Sequence, residues 1–110
     1  MNVIYLFQSS KASLLLEEMI IPQLSRNEHG AEIVGMFFFH DNVYFFLPEN
    51  PLGEKLSMLA SKLGFFIICC DSCCEQREIS GRLYPGIKEG CFPDLYRSAN
   101  EKKADHVITL

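Results

Sequence analysis

Several signatures of common function classes are missing from this chain. Lys and Arg total 10 against 14 Asp and Glu, for a formal charge of −4. Without a cationic excess nothing displaces counterions from phosphate, which argues against a nucleic-acid binder. No apolar run approaches the roughly 18 residues of a membrane-spanning helix; the longest, such as residues 33–39, are strand-sized, so no membrane association is expected. Met1 leads straight into Asn2-Val3-Ile4-Tyr5, without the basic region and small-residue cleavage site of a secretory signal. Gln8-Ser9-Ser10-Lys11 lacks the glycines of a phosphate-binding loop. Neither a paired-carboxylate site nor a Ser/His/Asp order stands out, and there is no internal repeat, linker or low-complexity tract.

What is present is an ordinary globular composition, 48% hydrophobic and 22% charged over 110 residues, which has room for one domain spanning 1–110. The exception is cysteine. Of five, Cys69, Cys70, Cys73 and Cys74 are clustered and Cys91 stands alone. An odd count without a signal peptide fits a reducing, cytoplasmic setting, where reactive or metal-binding thiols are expected rather than structural disulfides.

Strand and helix patterns alternate throughout. Residues 3–7 form an apolar, β-rich run. Leu14, Leu15, Leu16, Met19, Ile20 and Leu24 then recur at helical spacing, with Pro22 inside the pattern; a helix there kinks at Pro22 or ends near Ile21. Residues 32–39 read as a second buried strand, interrupted by His40-Asp41-Asn42 before the apolar residues 43–47. Asn50 as cap and Pro51 at the first helical position open a helix that Gly64 stops. Residues 65–69 make a third strand. Asp71 and Ser72 are positioned to cap a short helix over about 73–79, with Gly81 ending it. A short strand at 87–89, a helix at 92–98 and a last strand at 105–110 complete the chain.

This alternation predicts a three-layer α/β architecture with a mainly parallel five-stranded sheet covered on both faces. In such sheets ligands bind beyond the carboxyl ends of the strands. The residues just past those ends are Gln8-Ser9, His40-Asp41, Cys70-Asp71-Ser72-Cys73 and Gly90-Cys91, so chemistry-prone side chains gather at one edge. His29 and His106 lie elsewhere and read as surface or structural residues.

Cys70 and Cys73 form a C-x-x-C pair at a strand-to-helix junction. A helix start stabilises a thiolate and lowers its pKa from about 8.5 into a range of about 3.5–7.5. Cys91 precedes a second helix start, and Arg77, one turn beyond Cys73, is placed to add positive charge. His40 is a candidate for proton handling beside Asp41. Cys69 and Cys74 read as buried small hydrophobes. Zinc or iron–sulfur ligation and thiol–disulfide exchange remain as alternatives. Adjacent Cys69 and Cys70 on a strand point to opposite faces, which works against four thiols sharing one ion.

Three segments carry a resemblance: Gly35-Met36-Phe37-Phe38-Phe39-His40-Asp41-Asn42-Val43-Tyr44, Ile68-Cys69-Cys70-Asp71-Ser72-Cys73 leading to Arg77, and Asp105-His106-Val107-Ile108-Thr109-Leu110. Together they resemble the aromatic strand with its acidic turn, the cysteine after strand three and the closing strand of the DsrE/DsrF/TusD-like sulfur-relay family, in particular its short DsrE-related (SaoD-like) members. Asn42 stands where that family commonly has Gly, and Glu78-Ile79 replaces its usual Arg-Gly. The resemblance implies a flavodoxin-like (DsrE-like) fold, homo-trimers or hexamers, and sulfur transfer between donor and acceptor proteins. The sulfur would travel as a cysteine persulfide on Cys70, with Cys73 as the second thiol, and no cofactor is implied.

Overall fold

A computed structural model describes residues 1–110. In chain order the elements are β1 (Asn2–Phe7), α1 (Ala12–Leu15), a π segment (Leu16–Ile20), α2 (Ile21–Ser25), β2 (Glu32–Phe38), a 3-10 turn (His40–Phe46), α3 (Pro51–Leu63), β3 (Phe66–Cys70), α4 (Asp71–Gln76), β4 (Lys88–Gly90), α5 (Phe92–Glu101) and β5 (His106–Thr109). Every strand pair is parallel, in the spatial order β4-β3-β2-β1-β5. The predicted five-stranded, flavodoxin-like α/β architecture is therefore present, with strand ends displaced by about a residue, as expected of boundaries read from pattern alone.

The topology sorts the helices. The steps from β1 to β4 all run the same way along the sheet, so right-handed crossovers place α1/α2, α3 and α4 on one face; α5 returns to β5 on the other. Successive strand residues face opposite ways, and the aromatic contacts follow this rule. Phe38 meets Phe46 at 4.7 Å on the first face, and Phe37 stacks with Phe92 of α5 at 6.4 Å on the second. One ten-residue helix does not cover five strands. All of β5 remains exposed, and Phe92, Tyr96 and Val107 keep 45%, 66% and 51% of their surface open. The expectation of a sheet covered on both faces fails along this strip.

Local chemistry accounts for the elements that hold the site. Pro22 neither ends nor sharply stops its helix: the chain widens into the π segment just before it and resumes as α2, since a π turn relieves the clash of a proline ring with the preceding turn. At α3 the reading holds: the Asn50 side chain accepts the Leu52 N–H at 3.0 Å and Gly64 closes the helix at φ 82°. The apolar residues 43–46, by contrast, wind into the 3-10 turn, which is bounded by backbone bonds from Asn42 N–H to the Phe39 carbonyl at 3.2 Å and from Leu47 N–H to the Tyr44 carbonyl at 3.3 Å, with the Asn50 amide donating to the same Tyr44 carbonyl at 3.4 Å. That turn lies against α3 at Gly53, where an added Cβ would stand 2.0 Å from the Phe45 carbonyl oxygen. Gly53→Ala is expected to cost about 3 kcal/mol of stability by overpacking, read as a lower denaturation midpoint. An unchanged midpoint would mean that the two backbones do not need this approach.

Candidate functional site

The strand order decides a question that the sequence leaves open. β1, β2, β3 and β4 are successive neighbours, so the four chemistry-bearing loops lie side by side along one sheet edge. Hydrogen bonds join them into a rim. Gln8 N–H donates to the Leu110 carbonyl at 2.8 Å, and the Asn42 amide donates to the Ser9 carbonyl at 3.1 Å. His40 N–H donates to Cys73 Sγ at 3.2 Å. Asn42 is only 5% exposed, and as the last residue of the polar His40-Asp41-Asn42 break the sequence does not set it apart as a site residue.

The thiols separate by face. Phe38 pairs with Cys69, and Cys69 in turn with Glu89, placing Cys69 under the helices of the first face. Cys69 and Cys74 are fully buried there. Burial pushes the Cys69 thiol far up, and it pushes Cys74 up to about 12 with help from the Glu89 charge. Both are core residues, as the sequence suggests. Cys70 leaves on the opposite face and Cys73 sits on α4 beside it. No three His, Cys, Asp or Glu side chains of one chain converge in a group able to hold a metal ion.

Two details of the C-x-x-C reading are corrected. The helix starts earlier than predicted, so its N-cap is Cys70 rather than Asp71 or Ser72: Cys70 Sγ accepts the Cys73 N–H at 3.3 Å. The Cys70 thiol is also not acidic. Burial raises its pKa to about 11, the neighbouring Cys73 side chain adds to the rise, and the Cys73 N–H only partly offsets it. Negative charge on Cys73 and Asp71 pushes the same way.

The supporting residues take specific places. Arg77 follows α4, and its Nε and NH2 groups reach one oxygen of Asp41, each at 2.9 Å. Its NH1 donates to the Cys73 carbonyl at 3.1 Å, and its guanidinium lies 5.9 Å from the Tyr44 ring centroid. Arg77 thus ties the turn after β2 to the helix after β3. The Asp41 hydrogen bond, foremost, and the Cys73 charge raise its pKa. His40 contributes through its main chain: its imidazole is exposed, while its N–H, at a φ of 58°, meets the sulfur. Non-glycine residues at positive φ cost about 1–2 kcal/mol and cluster at functional sites. His29 is structural, holding the Tyr5 hydroxyl at 2.8 Å and the Gln23 amide oxygen at 3.0 Å.

Cys91 reaches the same edge, one residue past the Gly90–Cys70 pair. Its N–H donates to Asp94 at 3.0 Å, fixing the start of α5. That bond, then Lys88 and Arg97, hold the Asp94 carboxyl below its usual range. A carboxyl depressed in the fold adds stability above its unfolded pKa of about 4, and the gain disappears as pH falls through the folded value. Asp94→Ala is therefore expected to melt earlier than wild type at neutral pH, with the gap closing in acid. A gap independent of pH would contradict this.

These features define a small flavodoxin-like α/β protein with a dithiol on the carboxyl rim of its sheet. No family model and no curated protein matches the sequence. Solved structures do match the fold. The ychN protein from E. coli superposes with a TM-score of 0.71 at 20% identity, over 99% of this chain and 97% of that one. MTH1491 from Methanobacterium thermoautotrophicum, a protein of unknown function, gives 0.68 at 13% identity over 99% and 97%. BT1422 from Bacteroides thetaiotaomicron, a conserved protein of unknown function, gives 0.65 at 11% identity over 98% and 94%. Likeness at these identities establishes the fold along the whole chain. No helix is long and apolar enough to cross a membrane.

Proposed function

We propose that this protein is a sulfur carrier of the DsrE type, which accepts sulfane sulfur as a persulfide on its Cys70/Cys73 dithiol and passes it to an acceptor thiol. The observation that carries this reading is the Cys70–Cys73 pair itself, two thiols side by side at the carboxyl edge of a parallel sheet, each sulfur accepting a backbone N–H: Cys70 Sγ from Cys73 at 3.3 Å and Cys73 Sγ from His40 at 3.2 Å. A persulfide is an anion near neutral pH and gains from such donors. Loading forms one S–S bond and breaks one: a cysteine thiolate attacks the outer sulfur of the donor's persulfide, and the donor leaves as a thiolate. Unloading is the same exchange with the acceptor thiolate, so neither step needs an external oxidant or reductant.

The donors and acceptors are proteins in this reading, and copies of the chain assemble with one another as trimers or hexamers, in the cytoplasm. The exposed α5/β5 strip supports the assembly. Phe92 and Tyr96 stack at 6.2 Å, Val107 is open on the same face of the sheet, and exposed apolar surface of this kind gains by burial against a second copy. Incubation with a protein persulfide donor is expected to add the mass of one sulfur atom to the wild-type chain and none to the Cys70→Ala/Cys73→Ala double variant. Equal uptake by the double variant would refute the dithiol reading.

A further inference from the structure

We infer that the Cys70–Cys73 pair also releases the sulfur it carries: when no acceptor thiol is bound, the neighbouring thiol expels it as hydrosulfide and the pair closes as a disulfide. This second outcome rests on the carrier reading for its loaded state, whereas closure of the pair is testable without any sulfur donor.

The two sulfurs share one turn of backbone. Cys70 stands at the end of β3 and Cys73 in the first turn of α4, and Cys70 Sγ accepts the Cys73 N–H at 3.3 Å. The first sulfur therefore lies against the main chain that bears the second. Residues three apart at a helix start are about 5 Å apart at Cα, inside the span of roughly 4.4–6.8 Å that a disulfide bridges. Side-chain rotation is then enough to join them, with no movement of the strand or the helix. The surroundings of the two sulfurs also match: the residues are 8% and 7% exposed, and each sulfur accepts one backbone N–H, from Cys73 and from His40. Either one is thus equipped to carry sulfur while the other attacks.

No other thiol of the chain competes. Cys69 leaves β3 on the opposite face, and Cys74 is buried there with it. Cys91 shares the rim but belongs to the start of α5, its N–H bound to Asp94, and does not converge with the pair into one cluster. A thiol from solution has little access to sulfurs this buried. The neighbour is already in place, and such proximity raises an intramolecular rate by orders of magnitude. Transfer onward therefore requires an acceptor docked at the rim, and unclaimed sulfur goes to the neighbour.

In the release step the free thiol attacks the protein-bound sulfur of the persulfide. The Cys70–Cys73 S–S bond forms and the bond to the outer sulfur breaks. The thiol's proton passes to that sulfur, which leaves as HS⁻. The carried sulfur gains two electrons and the two cysteines lose them. An external dithiol reductant reopens the disulfide by two further exchanges. Supplied with sulfane sulfur and a dithiol, the site turns over as a persulfide reductase that produces sulfide.

Two measurements test this. Equilibration of the native chain with mixtures of oxidised and reduced glutathione, read by non-reducing peptide mapping, is expected to give an intramolecular Cys70–Cys73 disulfide with Cys69 and Cys74 still reduced. A pair that never closes overturns the inference. For the release itself, the chain is loaded briefly with glutathione persulfide, freed of donor by gel filtration and followed with time. The added mass of a sulfur atom is expected to give way to the loss of two hydrogens, with a matching amount of sulfide in solution. Each single variant that loads, Cys70→Ala or Cys73→Ala, is expected to keep its sulfur at least about tenfold longer, because only intermolecular exchange remains. Cys91→Ser is expected to release it like wild type. Sulfur that persists on wild type as long as on the single variants overturns the release and leaves the carrier standing. No uptake by wild type or by either single variant refutes the carrier, and the release with it.

Discussion

The contact between the His40 N–H and the Cys73 sulfur joins the loops that leave two adjacent strands, and the rest of the rim depends on that junction. β2 and β3 are locked in register by the sheet, so the turn after one and the helix after the other have little freedom to separate. The Asn42 amide extends the join to the loop after β1, and the bond from Gln8 to Leu110 extends it to β5. A reactive sulfur on a loop alone would sample many environments. Here it is presented by a helix that starts directly at the end of a buried strand, against a backbone donor from the neighbouring connection.

Competition between burial and local donors explains why four clustered thiols differ. A helix terminus contributes about 0.3–1 kcal/mol, less than one pKa unit at 1.36 kcal/mol per unit, and α4 is only 6 residues long. Burial of a titratable group is worth up to about 3–5 units. Desolvation therefore outweighs the helix start for Cys70, and it is unopposed for Cys69 and Cys74.

The architecture was legible because it rests on patterns that composition preserves: apolar runs of strand length, the Asn50-Pro51 helix start, the Gly64 stop. The edge bearing the functional loops followed from the same logic. Other features were not legible, each for a physical reason. Much of the 3-10 turn at His40–Phe46 is as apolar as a strand, and its shape comes from short-range backbone hydrogen bonds, such as Asn42 N–H to the Phe39 carbonyl, that no periodicity records. The roles within the dithiol depend on desolvation and on which atom of His40 faces the sulfur; the residue type suggested an imidazole, and the structure uses the amide. The open strip along α5 and β5 reflects a single return crossover, visible only once strand order is known.

Amide hydrogen exchange at His40, followed by two-dimensional NMR in wild type and Cys73→Ala, tests the central contact most directly. An exposed residue at the tip of a turn normally exchanges quickly; slow exchange in wild type that becomes fast in the variant is the expected result. Fast exchange in both proteins would mean that the N–H does not rest on the sulfur, and the junction between the loops after β2 and β3 would fall with it.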